Sequence, residues 1–150
     1  MNSLIQEFKE AWENFDESPL EQLGKLYSPS MVFIDPIGKI EGLDKFLSHL
    51  ESQSKNLIEC KFRFDEEMEV ISKNRASLVW SMTMGHKSIG GGKATETRGV
   101  SVLQFDTLVT LHRDYFDLGQ MVYQHLPVLG TAVRLVNRKL RYPSDKVITT

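Results

Sequence analysis

The sequence predicts an α+β fold in which three N-terminal helices pack on a strongly curved, mostly antiparallel sheet, with a conical pocket between the layers. Two observations support this prediction. The first 50 residues carry apolar side chains at intervals of three and four, which is typical of helices that bury one face. From about residue 57 to residue 117 the chain instead forms strand-like runs separated by turn residues, and such a succession indicates an α+β layout.

The predicted helices have recognisable ends. The first covers residues 3–15, with Ser3 as its N-cap. The second begins with Pro19, a residue that suits the first helical position, and is stopped by Ser28-Pro29. The third follows Gly42. The inward-facing residues of the three helices are Leu4, Ile5, Phe8, Ala11, Trp12, Phe15, Leu20, Leu23, Leu26, Tyr27, Phe46, Leu47 and Leu50.

The predicted strands are a short one at Met31–Asp35 and four longer runs at 57–72, 75–87, 94–106 and 108–117. Gly90-Gly91-Gly92 provides the turn between the second and third of the longer runs. Helical segments are predicted at Leu118–His125 and Thr131–Leu140. Residues 1–126 are expected to form the main body, and residues 127–150 a C-terminal amphipathic helix and tail of the same domain.

Composition excludes several classes of protein. A length of 150 residues suits one domain, and a net charge of −2 gives no field that would attract nucleic acid. Cys60 is the one cysteine, so an internal disulfide and a cysteine-based structural zinc site are excluded. The histidines show no metal-binding spacing, and no metal or cofactor is expected. The N-terminal residues do not resemble a signal peptide and no apolar stretch is long enough to span a membrane, so a cytoplasmic location is expected.

The segment from His112 to Asp117 is the most informative in the chain. Because side chains alternate along a strand, His112, Asp114 and Phe116 share one face. An imidazole and a carboxylate side by side are costly to bury unless a cavity or water serves them. The segment therefore predicts a polar pocket at the end of a sheet.

Two stretches resemble a known superfamily. Residues 26–38, Leu-Tyr-Ser-Pro-Ser-Met-Val-Phe-Ile-Asp-Pro-Ile-Gly, resemble the start of the NTF2-like (SnoaL-like) superfamily, and most of all ketosteroid isomerase. Residues 113–118, Arg-Asp-Tyr-Phe-Asp-Leu, resemble limonene-1,2-epoxide hydrolase. The resemblance extends over residues 4–126. It implies the cone-shaped fold of that superfamily and a homodimer formed through the outer face of the sheet.

The resemblance also assigns roles to individual positions. Asp35 falls on the general base of the isomerase, and Ser101 lies near the position of its protonated aspartate, a pairing that is a worked example of tuned carboxyl groups. Asp114 falls on one of the two catalytic aspartates of the epoxide hydrolase, and Phe33 on its tyrosine. The arginine and second aspartate of that hydrolase would lie in the 80–86 strand, which carries neither residue.

Two functions follow as hypotheses. The first is cofactor-free acid–base catalysis on a small hydrophobic molecule, either isomerisation or water addition, with Asp35 or Asp114 removing a proton and His112 returning one. The second is non-catalytic binding of such a molecule, or an adaptor role. Simpler interpretations remain open, in which Asp35 accepts hydrogen bonds within its turn and His112 is a core histidine bonded to Asp114. The expected ligand-binding residues are Phe33, Trp80, Met82, Met84, Ser101 and Phe116.

Residues 128–141 form a basic amphipathic segment. Leu129, Val133, Val136 and Leu140 fall on one face of a helix, and the basic residues fall largely elsewhere. The segment is predicted either to dock on the body or on a dimer mate, or to make a weak and reversible contact with a membrane surface or another partner.

Overall fold

The computed structural model describes residues 3–122 and 125–140. The α-helices are α1 (Ser3–Glu13), α2 (Leu20–Gly24), α3 (Leu43–Ser54), α4 (Leu118–Met121) and α5 (Pro127–Lys139). The strands are β1 (Tyr27–Ile34), β2 (Lys39–Glu41), β3 (Leu57–Phe64), β4 (Val70–Ile71), β5 (Arg75–His86), β6 (Thr95–Phe105) and β7 (Val109–Phe116). The predicted α+β class is confirmed, and β1 and β2 lie between α2 and α3 in the chain.

The strands form one open sheet in the order β2-β1-β7-β6-β5-β3, and β4 pairs with β5. Among the strands of the described residues, the pairing of β1 with β7 is parallel and the other pairings are antiparallel. The parallel pairing brings the last strand of the meander into the interior of the sheet, beside the first strand of the chain. Polar side chains on the inner face of β7 therefore lie far from either edge.

Two predicted boundaries around β1 and β3 are wrong. Ser28-Pro29 was expected to stop the second helix, but α2 ends at Gly24 and these residues lie inside β1. Proline cannot donate to a strand ladder, and it is tolerated here because the β1–β7 register shifts between Tyr27 and Val32. The predicted run 57–72 is divided by a 3₁₀ turn at Glu66–Met68, because the Asp65 side chain accepts the Glu67 N–H and starts the turn.

The core lies between the helices and the inner face of the sheet. α1 packs on β3 and α3 packs on β1, as their amphipathic spacing requires. Their buried residues Phe8, Trp12 and Phe46 meet the sheet residues of the same cluster. The buried members of this core are Ile5, Phe8, Trp12, Leu23, Leu26, Tyr27, Met31, Phe33, Phe46, Ala76, Leu78, Leu103, Phe105 and Val109.

Two carboxylate side chains, one from the last residue of α1 and one just after the helix, cover the free edge of β3. Asp16 Oδ2 accepts the backbone N–H of Cys60 at 2.7 Å, and Glu13 Oε1 accepts that of Phe64 at 3.1 Å. These N–H groups would otherwise be available to another strand, so the side chains protect the edge from further pairing.

Lys9 connects α1 to the segment after β3 through ion pairs. Its side chain is almost fully buried, and Nζ lies 2.8 Å from Glu69 Oε2 and 3.3 Å from Glu66 Oε1. Burial alone would lower the pKa of Lys9, but the hydrogen bonds with Glu69 and Glu66 outweigh it and raise that pKa. The ammonium group is therefore charged at neutral pH and holds residues 66–69 beside the helix.

Cys60 is expected to make the fold less stable at alkaline pH. Burial, with a further contribution from the charge of Asp16, raises the pKa of the Cys60 thiol to about 12. A cysteine in an unfolded chain titrates near about 8.5, so above that pH the unfolded state loses a proton that the folded state keeps. The free energy of unfolding is thus unaffected by Cys60 ionisation below about pH 8.5, and it declines as the pH rises towards the pKa of the thiol in the folded state.

The measurement is urea unfolding of the wild type and Cys60→Ala at several pH values. Between pH 8 and pH 10 the wild type should lose about 2 kcal/mol more of its free energy of unfolding than the variant. Parallel losses in the two proteins would contradict this assignment.

The C-terminal helices differ in extent from the prediction. α4 ends at Met121, whereas a helix was predicted over Leu118–His125; residues 123 and 124 of that prediction lie outside the described residues. α5 begins at Pro127 rather than Thr131 and ends at Lys139. Proline is favoured in the first helical turn because the N–H that it lacks would have no partner there.

Candidate functional site

The inner face of β7 carries the two polar residues that the sequence singled out. His112 and Asp114 point towards the helices, while Arg113 between them points away. His112 lies opposite Phe33 of β1 and Leu103 of β6, and it is 2% exposed. The sheet therefore places an imidazole at the centre of the core.

Aromatic rings surround this imidazole. The centroids of five rings lie between 5.1 and 6.4 Å from that of His112; they belong to Phe8, Trp12, Tyr27, Phe33 and Phe46. A polar ring in such surroundings is costly unless both of its nitrogens have partners. Both nitrogens of His112 do, and the partners fix the direction of each hydrogen bond.

One chain of hydrogen bonds begins at Trp12. Its indole Nε1 lies 3.1 Å from Tyr27 Oη, which lies 2.8 Å from His112 Nδ1. An indole N–H can only donate, so the Tyr27 oxygen accepts it and the Tyr27 hydrogen is left for His112 Nδ1. Burial raises the pKa of Tyr27 well above its usual value. The hydrogen bond from Trp12 opposes this effect and the charge of Asp114 adds to it, and the hydroxyl therefore remains a donor. In this arrangement His112 Nδ1 accepts the hydrogen bond from Tyr27, and the hydrogen on Nε2 points to Asp114.

A second chain begins at Trp80. Its Nε1 donates to Ser101 Oγ at 2.9 Å, and Ser101 Oγ donates to Asp114 Oδ1 at 2.5 Å. His112 Nε2 lies 2.8 Å from the same oxygen and 3.3 Å from Ser101 Oγ. Both chains therefore end at Asp114 Oδ1, which accepts two hydrogen bonds whose direction is set by two tryptophans.

The position of Asp114 is thus fixed while part of it remains accessible. Its side chain is 15% exposed, in contrast to the 2% of His112. Within residues 3–122 and 125–140, no hydrogen bond is made to the second carboxylate oxygen, Oδ2. A carboxylate held at one oxygen and open at the other can bind a donor or exchange a proton.

Asp114 lines a cavity of about 10 Å³. A cavity needs about 10–15 Å³ to hold one water molecule, so this one has room for a single water at most. The space that the sequence predicted as a conical pocket is largely filled by aromatic side chains. The lining residues are Phe8, Trp12, Phe62, Phe64, Trp80, Ser101, His112 and Asp114.

A much larger depression, of about 560 Å³, lies beside this cluster. It is lined by residues of β3, β5 and β6 and by the turn after β3, including Arg63, Glu66 and Arg98. These charged side chains are exposed, and charges in water interact weakly. We therefore place the candidate site at the smaller cavity, where the polar groups are buried and fixed.

The structure brings together four of the nine predicted site residues. Trp80, Ser101, His112 and Asp114 line the cavity and are linked by hydrogen bonds. The other predicted ligand-binding residues do not line it: they are Phe33, Met82, Met84 and Phe116. They pack instead in the two apolar clusters, since a strand residue can face the helices without reaching the cavity.

Asp35 is not part of this site. Its Oδ1 accepts the backbone N–H groups of Ile37 and Gly38 at 2.8 and 2.9 Å, so the carboxylate closes the turn between β1 and β2. Asp35 does not line the cavity beside Asp114, so the two carboxylates are not brought together there. An aspartate before proline and glycine is a frequent turn former, and here the local geometry determines its role.

Two members of the network were missed as functional residues. Trp12 and Tyr27 appear in the sequence as apolar stripe positions, although both carry a donor that needs a partner when buried. The need of each buried donor for an acceptor was the signal in the sequence that could have indicated a polar network. The sequence could not identify the partner of Tyr27, because Tyr27 and His112 are 85 positions apart in the chain.

No metal site is evident in the part of the chain that the structure describes, since no group of three or more His, Cys, Asp or Glu side chains is arranged to hold an ion.

The mixed sheet with helices on its inner face has the fold of NTF2-like structures. The model of the SnoaL-like domain matches residues 5–111, and the chain therefore belongs to this family. The predicted membership of the NTF2-like (SnoaL-like) superfamily is confirmed. No curated protein matches the sequence.

Solved structures agree on the fold. An NTF2-like protein of unknown function from Burkholderia pseudomallei superposes with a TM-score of 0.71 at 18% identity, covering 81% of this chain and 95% of that one. A hypothetical protein from Catenulispora acidiphila with a ketosteroid isomerase-like fold, in complex with trimethylamine, gives 0.70 at 12% identity, with coverages of 83% and 92%. A putative polyketide cyclase from Xanthomonas campestris gives 0.66 at 13% identity, with 80% and 92%.

Proposed function

We propose that this protein is a cytoplasmic, cofactor-independent enzyme that binds a small, mainly apolar molecule next to Asp114 and catalyses an isomerisation or the addition of water by acid–base chemistry. Asp114 is the proton-transferring group. The observation on which the proposal depends is the convergence of two hydrogen-bond chains on one oxygen of a partly accessible carboxylate.

His112 acts through Asp114 in this proposal. Both of its nitrogens are engaged, Nδ1 by the Tyr27 hydroxyl and Nε2 by Asp114, so neither is free to protonate a ligand. We therefore assign His112 and Ser101 as positioning residues. They hold the carboxylate in one orientation, and such preorganisation is what a general base needs.

One carboxylate is sufficient for both reactions. In an isomerisation, Asp114 Oδ2 takes a proton from a carbon next to a carbonyl and returns it to another carbon of the same molecule, so that no proton is gained or lost. In the addition of water to an epoxide, Oδ2 takes a proton from water while the water oxygen attacks a ring carbon and the carbon–oxygen bond of the ring breaks. Oδ2 then returns that proton to the epoxide oxygen. Neither reaction requires an oxidant or a reductant, and the second consumes only water besides the ligand.

A ligand requires more space than the cavity now offers. Phe62 and Phe64 line it from β3, the strand at the edge of the sheet, and both are only partly buried. Rotation of these two side chains, of which Phe62 packs edge-to-face on Trp12 and Phe64 on Phe8, would open a path to Asp114. The putative polyketide cyclases among the similarly folded proteins are consistent with a pocket for small organic molecules.

Asp114→Asn is expected to abolish most of the activity. The asparagine oxygen can still accept from Ser101 and His112, but its nitrogen cannot act as a base. We expect kcat/KM to fall by at least about 100-fold, the usual contribution of a general base. Turnover should be assayed with a panel of β,γ-unsaturated ketones and small epoxides.

Asp35→Asn is the matched control, because it makes the same change at an aspartate that serves the turn. Its kcat/KM should stay within about twofold of the wild type. Equal rates for the wild type and Asp114→Asn, or a loss confined to Asp35→Asn, would refute the proposed role of Asp114.

Non-catalytic binding of a small amine is the second candidate, and the cavity wall supports it. Five aromatic residues and one carboxylate line the cavity, and aromatic faces together with a negative charge suit an organic cation. The similarly folded protein from Catenulispora acidiphila holds trimethylamine. If calorimetry detects trimethylamine binding that Asp114→Asn removes, and no compound of the panel is turned over, this candidate replaces the enzyme.

We also propose a homodimer through the outer face of the sheet. Val79, Val100 and Val102 lie on the face opposite His112 and are only partly covered, and Tyr115 on the same face is 53% exposed. Light scattering on the purified protein should give twice the chain mass, and Val100→Glu should give the monomer because a buried charge is costly. A monomeric wild type would contradict this proposal.

A further inference from the structure

The C-terminal helix α5 and its C-cap Leu140 expose an apolar face. Five large apolar side chains here are between 50% and 82% exposed; they are Val128, Leu129, Leu135, Val136 and Leu140. A helix of an isolated globular domain normally buries such residues. The covering surface for this face must therefore come from outside the described chain.

The exposed residues lie together on the helix. At 100° per residue, the apolar positions of 128–140 occupy an arc of about 160°. Arg134 and Arg138 lie on the opposite side, and so does Gly130, which is buried. The exposed apolar side chains therefore lie on the side of the helix away from Gly130.

The charge of the segment distinguishes between possible occupants. Residues 127–140 contain three basic residues, Arg134, Arg138 and Lys139, and no acidic residue. If two copies of α5 paired through their apolar faces, Lys139, which lies within the apolar arc, would enter the interface from each copy, and neither helix has an acidic residue to pair with it. A surface that is both apolar and negatively charged would match the exposed apolar face and the positive charge of the helix. An anionic lipid bilayer is such a surface.

We propose that α5 lies on the surface of membranes that contain anionic lipids, with its apolar arc inserted among the lipid head groups. Lys139 lies within the arc, where a long side chain can bury its methylene groups and extend its ammonium group to the lipid phosphates. The helix is about 20 Å long, too short to cross the hydrocarbon layer. No helix among the described residues is long and apolar enough to span a membrane.

The test is co-sedimentation of the full chain with vesicles at low salt. Vesicles of phosphatidylcholine with 30 mol% phosphatidylserine, a fraction on the order of that in anionic cell membranes, should bind the protein at least about tenfold better than phosphatidylcholine alone. Arg138→Glu/Lys139→Glu should weaken binding to the anionic vesicles by at least about tenfold. The control Lys25→Glu/Lys73→Glu makes the same change in net charge on exposed residues of the body and should bind like the wild type.

A second variant tests the apolar contribution. Val136→Ser/Leu140→Ser keeps the charges and should also weaken vesicle binding by at least about tenfold, because two apolar side chains are removed from the lipid. Absence of wild-type binding, or equal binding by the wild type and both α5 variants, would overturn the proposal. It would also be overturned if Val136→Ser/Leu140→Ser converted a dimer into a monomer in light scattering, since a second copy would then cover the face.

Discussion

Replacing His112 with alanine is expected to destabilise the fold by about 3–5 kcal/mol, the range for removing a large buried side chain and leaving polar partners unpaired. The substitution removes a ring that five aromatic residues contact. It also leaves the buried Tyr27 hydroxyl without its acceptor and takes one donor from Asp114. Urea unfolding followed by circular dichroism would measure the change.

Two further variants separate the contribution of the hydrogen bonds from that of losing a histidine side chain. Tyr27→Phe preserves the ring packing but leaves Trp12 Nε1 and His112 Nδ1 unpaired, so it should cost about 2–4 kcal/mol through hydrogen bonding alone. His49→Ala, at a half-buried position on α3, should cost about 1 kcal/mol or less. A loss of about 1 kcal/mol or less for His112→Ala would show that the network contributes little to stability.

Gly99→Ala is the second substitution expected to have a large effect. A Cβ atom at this position would lie 2.4 Å from Trp80 Cη2 and Cζ2 and 2.8 Å from the carbonyl oxygen of Tyr115. The indole would have to move, and Trp80 Nε1 would then lose its hydrogen bond to Ser101. We expect a destabilisation of about 2–3 kcal/mol, typical of overpacking, together with a changed tryptophan fluorescence spectrum.

Gly38→Ala provides the control, because no atom lies within 4 Å of a Cβ atom built there. Its free energy of unfolding should change by about 0.5 kcal/mol or less. If Gly99→Ala behaved like Gly38→Ala in both urea unfolding and fluorescence, the close approach of Trp80 to β6 would be refuted.

These effects show how much of the candidate site the sequence could predict. The alternation of His112 and Asp114 along a strand is a local property, and their common orientation was predicted from it and is confirmed. The role of Asp35 is also local, but the sequence allowed both a pocket and a turn. The turn is the outcome because two backbone N–H groups lie within reach of its carboxylate.

The long-range partners could not be predicted in this way. Trp12, Tyr27 and Trp80 are apolar positions in any helix or strand pattern. Their N–H and O–H groups acquire a direction only when β1 lies beside β7 and β5 beside β6. The need for glycine at position 99 likewise depends on the indole that crosses it from β5. A periodic pattern indicates which face is buried and does not specify what that face meets.

The sequence by itself determined the α+β class, the family, the amphipathic α1 and the shared face of His112 and Asp114, because periodicity and short motifs are properties of neighbouring residues. The tertiary structure decided that aromatic rings fill the space beside Asp114 and that two tryptophans set the hydrogen bonds of that carboxylate. The chain from Trp12 through Tyr27 to His112 depends on the parallel pairing of β1 with β7, which joins segments about 80 residues apart and leaves no trace in local periodicity.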